Sequence, residues 1–197
     1  MRRLRLESNL CSTRDREAGS VGRADHLRVL GIDPGLTRCG YAVVDAGRPR
    51  PTAVAIGVMA TPVEADLPER LARLKVDVTA LLDEYRPDVV AVERVFFQVN
   101  VRTAMSVGQA SGIALSEAWA AGCEVVQYTP NEVKQAVTGH GAADKAQVGR
   151  MVQMRLGLPA VPKPADAADA AALALCHLAV APTRVAVARA SAARGTR

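Results

Sequence analysis

The sequence predicts an α/β domain in which five short strands combine with amphipathic helices. Two observations carry this prediction. Residues 28–59 contain three short apolar runs separated by turn residues, a pattern typical of antiparallel strands joined by short links. After them, segments with helical periodicity alternate with apolar runs at 89–92 and 124–128, an order that favours buried parallel strands.

The composition is that of a globular protein without disulfide or zinc frameworks. The chain has 197 residues, 49% of them hydrophobic, enough for one domain with a sizeable core. Its cysteines, Cys11, Cys39, Cys123 and Cys176, show no paired spacing, so neither a zinc site nor a disulfide framework is indicated. No apolar run reaches the roughly 18 residues needed to span a bilayer, and the arginine-dotted N-terminus lacks the apolar core of a signal peptide. We therefore expect a cytoplasmic protein without a membrane partner.

The net charge of +5 is concentrated in the two ends of the chain. Residues 28–180 contain 15 basic and 16 acidic side chains, so overall charge does not show that the body binds nucleic acid. Residues 1–26 have little apolar periodicity, and we expect a disordered extension there, which a start codon assigned too far upstream would explain. We expect a folded domain at 27–181 and a basic disordered tail at 182–197.

The first strand delivers a carboxylate to a tight turn. The apolar run at 29–32 favours a strand, and the turn pair Pro34-Gly35 must end it directly after Asp33. The alternative is that Asp33 only opens the turn, since aspartate readily bonds the backbone two residues on. Two further strands are predicted at 40–44 and 52–59.

A second carboxylate follows the fourth predicted strand. Leucine and valine at helical spacing predict a helix from Pro68 to Tyr85. The apolar run at 89–92 then predicts a buried parallel strand that ends in Glu93, at the edge where open α/β sheets place their sites. The alternative is an edge glutamate in solvent.

The only two phenylalanines, Phe96 and Phe97, lie in the polar linker after this strand. They either cover the core beneath the loop or form a wedge or stacking surface for bases.

A long helix is predicted at 103–121. Gly108 and Gly112 lie near one of its faces, and because each costs about 1 kcal/mol in a helix interior, the pair suggests close backbone approach. The neighbour would be the sheet beneath or the same helix of a second subunit.

Two lysines accompany the next helix starts. After a fifth strand at 124–128, the sequence Thr-Pro-Asn-Glu at 129–132 forms a capping box that begins a helix carrying Lys134. A further helix begins at Asp144, with Lys145 in its first turn, where a cation opposes the helix dipole. This unfavourable placement hints at a phosphate contact, although surface lysines are usually only solvated.

The last predicted helix begins with two aspartates on one face. Asp166 and Asp169 are three residues apart and therefore point the same way. The helix dipole favours acids in a first turn, which explains one of them but less easily both. His177 lies about 12 Å further along the helix at 1.5 Å per residue, too far to share a ligand sphere with Asp169, and we expect a core or interface histidine.

Four carboxylates thus stand at element ends, namely Asp33, Glu93, Asp166 and Asp169. If these ends meet, mutual repulsion would raise their pKa values unless a cation neutralises them. Oxygen ligands without histidine or cysteine point to Mg²⁺ or Mn²⁺. Such a site suits two-metal phosphoryl transfer.

Several segments together resemble the RuvC family of Holliday junction resolvases, within the ribonuclease H-like superfamily. They are 31–37 (GIDPGLT), 91–96 (AVERVF), 108–110 (GQA), 133–139 (VKQAVTG), 144–148 (DKAQV) and 165–171 (ADAADAA). The resemblance spans about residues 28–180. It implies a ribonuclease H-like mixed five-stranded sheet flanked by helices on both faces, and a homodimer. The implied activity is magnesium-dependent nicking of two opposed strands of four-way junction DNA in recombination and repair, leaving 5′-phosphate and 3′-hydroxyl ends.

The resemblance also implies roles for the four acids. Asp33 would bridge two Mg²⁺ ions in each subunit, with Mn²⁺ expected to substitute. Glu93 and Asp169 would each complete one metal, and Asp166 would help to position metal or water.

Further roles concern DNA and partner proteins. Phe96 resembles the aromatic that wedges into the junction core, with Phe97 beside it as an addition to the pattern. Lys134 and Lys145 resemble the phosphate-binding and active-site lysines. The helix containing Gly108 is the candidate dimer interface, and branch-migration proteins of the same pathway are expected partners.

Two other functions compete with this interpretation. Residues 32–37 also resemble the first phosphate loop of actin-like and sugar-kinase ATPases, but those proteins need a second phosphate loop and a duplicated domain, for which this chain is too short. A non-catalytic junction-binding module would be favoured by the loss of an acid, and all four are present.

Overall fold

A five-stranded mixed sheet forms the centre of the computed structural model, which describes residues 27–47, 49–94 and 101–194. The strands are β1 (Arg28–Asp33), β2 (Arg38–Asp45), β3 (Thr52–Ala60), β4 (Val89–Glu93) and β5 (Glu124–Tyr128). The helices are α1 (Leu67–Tyr85), α2 (Val101–Ala120), α3 (Pro130–Thr138), α4 (Lys145–Leu156) and α5 (Ala165–Arg194).

The strand order is β3-β2-β1-β4-β5. β1, β2 and β3 pair antiparallel, whereas β4 runs parallel to both β1 and β5. The link between β2 and β3 is short enough for a hairpin, while each parallel step uses a crossover that contains a helix. β1 is therefore central, with β2 on one side and β4 on the other.

Helices cover both faces of the sheet, and strand alternation assigns each side chain to a face. Leu30, Ile32, Val90 and Val92 pack with buried residues of α1 and α2. Val29, Val89 and Ala91 belong to the opposite core, which includes buried residues of α3, α4 and α5. The prediction of a mixed five-stranded sheet flanked by helices on both faces is confirmed.

Capping boxes fix the starts of α3 and α4. The Thr129 hydroxyl accepts from the Glu132 amide at 3.2 Å, and the Glu132 carboxylate accepts from the Thr129 amide at 2.7 Å, which confirms the predicted box. α4 has an equivalent pair, Asp144 and Gln147, with distances of 2.7 and 2.8 Å. These reciprocal bonds fix where Lys134 and Lys145 emerge.

The glycines of α2 do not approach the sheet. A Cβ added at Gly108 or Gly112 would meet nothing within 4 Å, because Ala110, Ala114 and Ala118 form the buried face of this helix. The prediction that Gly108 and Gly112 let α2 approach the sheet closely is therefore wrong.

The last helix differs from expectation in length and in apolar character. α5 continues past Pro182 to Arg194, where the sequence predicted a disordered tail; alanine, which is frequent there, has the highest helix propensity. The window Ala165–Pro182 is long and apolar enough to cross a membrane by length and composition, but 56% of it is buried within the fold. Because α5 packs on β1 and β2, we assign this window as a core helix. Residues 1–26 and 195–197 lie outside the described residues.

Candidate active site

Asp33 and Glu93 are brought together by the register of two neighbouring parallel strands. Ile32 of β1 is opposite Val92 of β4, so the next residue of each strand is a carboxylate. Both continue the alternation of Val29 and Val89, which places them on the face covered by α5. Their carboxyl groups are close enough for the charge of Glu93 to raise the pKa of Asp33.

Two strand glycines let the start of α5 lie directly on the sheet. A Cβ at Gly31 would collide with the backbone of Ala170, and a Cβ at Gly40 would collide with the backbone carbonyl of Asp166. Only glycine permits so close a contact, and the contact carries Asp166 and Asp169 to the strand ends. Sequence reasoning missed this role, although a glycine inside a buried strand is itself a signal of close backbone approach.

The electrostatics of the four acids show that they form one cluster. The pKa of Asp33 is raised to about 8, first by burial and then by the charges of Glu93, Asp169 and Asp166. Burial, followed by the charge of Asp169, also raises the pKa of Glu93. The predicted convergence is therefore observed, and delivery of Asp33 into the cluster replaces a purely local turn role.

Each aspartate of α5 is paired with a cation from another element. Lys145 Nζ donates to Asp169 Oδ2 at 2.8 Å, and this bond raises the pKa of Lys145. Arg38 Nε donates to Asp166 Oδ2 at 3.0 Å. Arg38, the first residue of β2, was not among the sequence-predicted site residues. A basic residue at a strand start is too common a feature to single it out.

A cavity of about 110 Å³ opens beside Glu93 and Asp169. Lys134 and Lys145 line it together with these two acids. Its remaining lining residues are Pro130, Val133, Val148 and Ala172. Both sequence-predicted lysines therefore lie at the site, on the side of β1 where β4 lies.

The donor set fits a hard divalent cation, but the carboxylates are not oriented as a closed metal shell. No group of three or more His, Cys, Asp and Glu side chains in the described ranges is arranged to hold a metal ion. Instead, Lys145 and Arg38 each neutralise one aspartate. The buried cluster of carboxylate oxygens is the kind of site that Mg²⁺ or Mn²⁺ satisfies, so the four-acid metal site stays a prediction.

Phe96 and Phe97 lie outside the described residues. His177 is buried, and its Nδ1 lies 2.9 Å from the Tyr128 hydroxyl, which confirms a core histidine.

Comparisons with known proteins agree with this geometry. Residues 29–177 match the family described as Crossover junction endodeoxyribonuclease RuvC. The protein of that name from Streptomyces avermitilis is 57% identical over 80% of this chain and 90% of its own length. The one from Rhodococcus opacus is 54% identical over 85% and 89%, respectively. The structure of T. thermophilus RuvC in complex with Holliday junction substrate is 41% identical, with a TM-score of 0.75 over 79% of this chain and 95% of that chain. The chain therefore belongs to the RuvC family of crossover junction endodeoxyribonucleases.

Proposed function

We propose that this protein is a structure-selective endodeoxyribonuclease that resolves four-way DNA junctions in recombination and repair. The observation that carries the proposal is the convergence of Asp33 and Glu93, at two strand ends, with Asp166 and Asp169 of the first turns of α5. The family assignment supports this function over an ATPase, because the relatives carry the name of a junction endonuclease. A further similar protein, T. thermophilus RuvC, was solved in complex with a Holliday junction substrate.

Asp33, Glu93, Asp166 and Asp169 would hold the two Mg²⁺ ions expected in each subunit, and Mn²⁺ would substitute. When bound, such ions activate a water nucleophile and stabilise charge on the attacking and leaving oxygens of a phosphodiester. The fit rests on the donor set, which is four carboxylates at one edge of the sheet and no imidazole. Hydrolysis would leave 5′-phosphate and 3′-hydroxyl ends.

The basic and aromatic side chains would bind and position the DNA. Lys134 and Lys145 line the cavity beside Glu93, where their ammonium groups can receive backbone phosphates. Lys145 also offsets the negative charge around Asp33 in the metal-free protein. Phe96 would insert at the junction centre, with Phe97 as a second stacking surface.

A homodimer would supply the two symmetric nicks, since a two-fold protein presents two identical sites to opposed strands. The outer face of α2 is the proposed interface. It exposes Met105 at 58% and Trp119 at 61%, next to the open space at Gly108 and Gly112. Small residues flanked by exposed apolar side chains allow two helices to pack closely. Cytoplasmic branch-migration proteins would be further partners.

The proposal is tested with a synthetic four-way junction and a linear duplex of the same arm sequence, each incubated with Mg²⁺ or with EDTA. We expect paired nicks in the junction with Mg²⁺, little cutting of the duplex, and ligatable products. Equal cutting of both substrates would contradict junction selectivity. Tight junction binding without nicks in Mg²⁺ or Mn²⁺ would favour the non-catalytic alternative.

A further inference from the structure

Lys134 and Lys145 lie on the β4 side of Asp33, whereas Arg38 lies on the β2 side. β2 and β4 flank β1 on opposite sides. Glu93 ends β4, and the cavity beside it contains Lys134 and Lys145. Arg38 begins β2 and reaches Asp166. A DNA strand that runs from Lys134 and Lys145 across Asp33 would therefore continue towards Arg38.

The guanidinium of Arg38 is held at Nε by an ion pair, while its two Nη groups remain available for a ligand. Its Nε binds Asp166 at 3.0 Å, and its side chain is 60% exposed. This is its one hydrogen bond within the described part of the chain. Arginine offers five donors in a planar fork that matches phosphate oxygens, so both Nη groups are left for a ligand. As an exposed ion pair alone, the contact with Asp166 contributes little to stability.

The turn that leads into Arg38 is fixed from the α1 side of the sheet. The buried Thr61 hydroxyl donates to the Leu36 carbonyl. Arg70 of α1 donates from Nε to the Thr61 hydroxyl at 2.9 Å and from Nη2 to the Thr37 hydroxyl at 2.8 Å. Leu36 and Thr37 directly precede Arg38, so this network positions the start of β2 rather than leaving it as a loose loop.

On the basis of the proposed nuclease function, we infer that Arg38 is a substrate-binding residue that contacts a DNA phosphate on the β2 side of the acid cluster. Asp166 orients the guanidinium through Nε, and the Nη groups bind the phosphate. Lys134 and Lys145 hold the strand on the β4 side. The scissile phosphodiester is thereby fixed from both sides over Asp33.

The inference is tested by junction binding in EDTA at several salt concentrations. Arg38→Ala should weaken binding by about tenfold and lower the slope of log Kd against log salt by about 0.9, the loss of one phosphate contact. Arg38→Lys should keep the slope, because a point charge remains, but recover only part of the affinity. Thermal unfolding of each variant confirms that it folds.

Arg86→Ala is the matched control. Arg86 is exposed and precedes β4, at the end of this strand opposite Glu93. Its substitution removes the same charge. Equal changes for Arg38→Ala and Arg86→Ala would overturn the inference, as would an unchanged salt slope for Arg38→Ala.

An Asp166→Asn background separates direct contact from an effect relayed through Asp166. Direct phosphate contact predicts that Arg38→Ala still lowers the salt slope in this background. Loss of the effect there would show that Arg38 acts only through Asp166, and would overturn the inference. A wild-type protein that neither binds nor nicks junctions would instead contradict the proposed function itself.

Discussion

Asp33 and Glu93 end two neighbouring parallel strands side by side, each one residue beyond the paired Ile32 and Val92. The raised pKa values of both groups follow from burial and from their mutual proximity to the aspartates of α5. With its pKa raised to about 8, Asp33 favours the protonated form at neutral pH in the metal-free protein, which relieves part of the charge repulsion in the cluster.

The stability of the metal-free protein should fall as pH rises from about 4 to about 8. Folding raises the pKa of Asp33 from 3.8 to about 8, so its contribution is complete below pH 4 and is lost as pH rises through 8. Thermal unfolding in EDTA measures this. Asp33→Asn should flatten the decline and raise Tm at pH 8 by about 5 °C. An equally steep decline in the variant would contradict the assignment.

Asp33→Asn should abolish nicking while junction binding is retained. The change removes the charge of the proposed central metal ligand without altering Lys134 and Lys145, the proposed DNA-binding lysines, and we expect cleavage to fall by about 10³-fold or more. Nicking with Mg²⁺ and gel-shift binding with EDTA measure the two properties. Asp83→Asn, an equivalent change on the exposed end of α1, should cleave normally. Full nicking activity of Asp33→Asn would contradict the assignment of this acid cluster as the active site.

Lys145→Ala should slow nicking by about 10- to 100-fold and shift its pH dependence upwards. Lys145 lowers the pKa values of Asp33 and Glu93, so its loss leaves both acids protonated to higher pH. Single-turnover nicking between pH 6 and pH 10 measures the shift. Lys75→Ala breaks a comparable pair with Glu117 on the other face of the fold and should leave the profile in place. The same profile for both variants would argue against this role.

Gly31→Ala should destabilise the fold and disturb the site together. The added methyl would overlap the backbone of Ala170, and overpacking of this kind costs about 1–3 kcal/mol or more. Gly108→Ala adds the same methyl in open space within the chain and should not lower the stability of the isolated subunit. Denaturant unfolding compares the two. If Gly31→Ala has the same free energy of unfolding as the wild type, the backbone of α5 does not pack against Gly31.

Phe96→Ala should impair cleavage of closed junctions while simple phosphate binding is largely intact. An inserted aromatic unstacks bases, which helps only where the junction centre must be opened. Nicking of an intact junction, compared with a pre-opened one, measures the difference. Unchanged cleavage of the intact junction would return Phe96 to a role in covering the core.

Much of the site could be predicted because its acids stand beside strong local signals. β-branched runs indicated β1 and β4, the Pro34-Gly35 turn indicated where β1 ends, and a capping box indicated the start of α3. Each signal lies within a few residues of the side chain that it positions. The resemblance of the surrounding segments to a nuclease family then related the four acids to one another.

The remaining features depend on contacts between distant segments. The Arg38–Asp166 pair spans 128 positions, and the fit of Gly31 beneath Ala170 is visible only once α5 lies on the sheet. The open space at Gly108 likewise depends on which face of α2 packs inwards, since either direction suits the local sequence.

The sequence by itself determined the identity of the elements and the four carboxylates at their ends, because strand propensity and turn chemistry are local properties. Only the tertiary structure decided that these ends meet and which cations neutralise them. The parallel register of β1 and β4 and the glycine-permitted contact with α5 bring the charges together, and burial then gives Asp33 the raised pKa of a group that needs a cation.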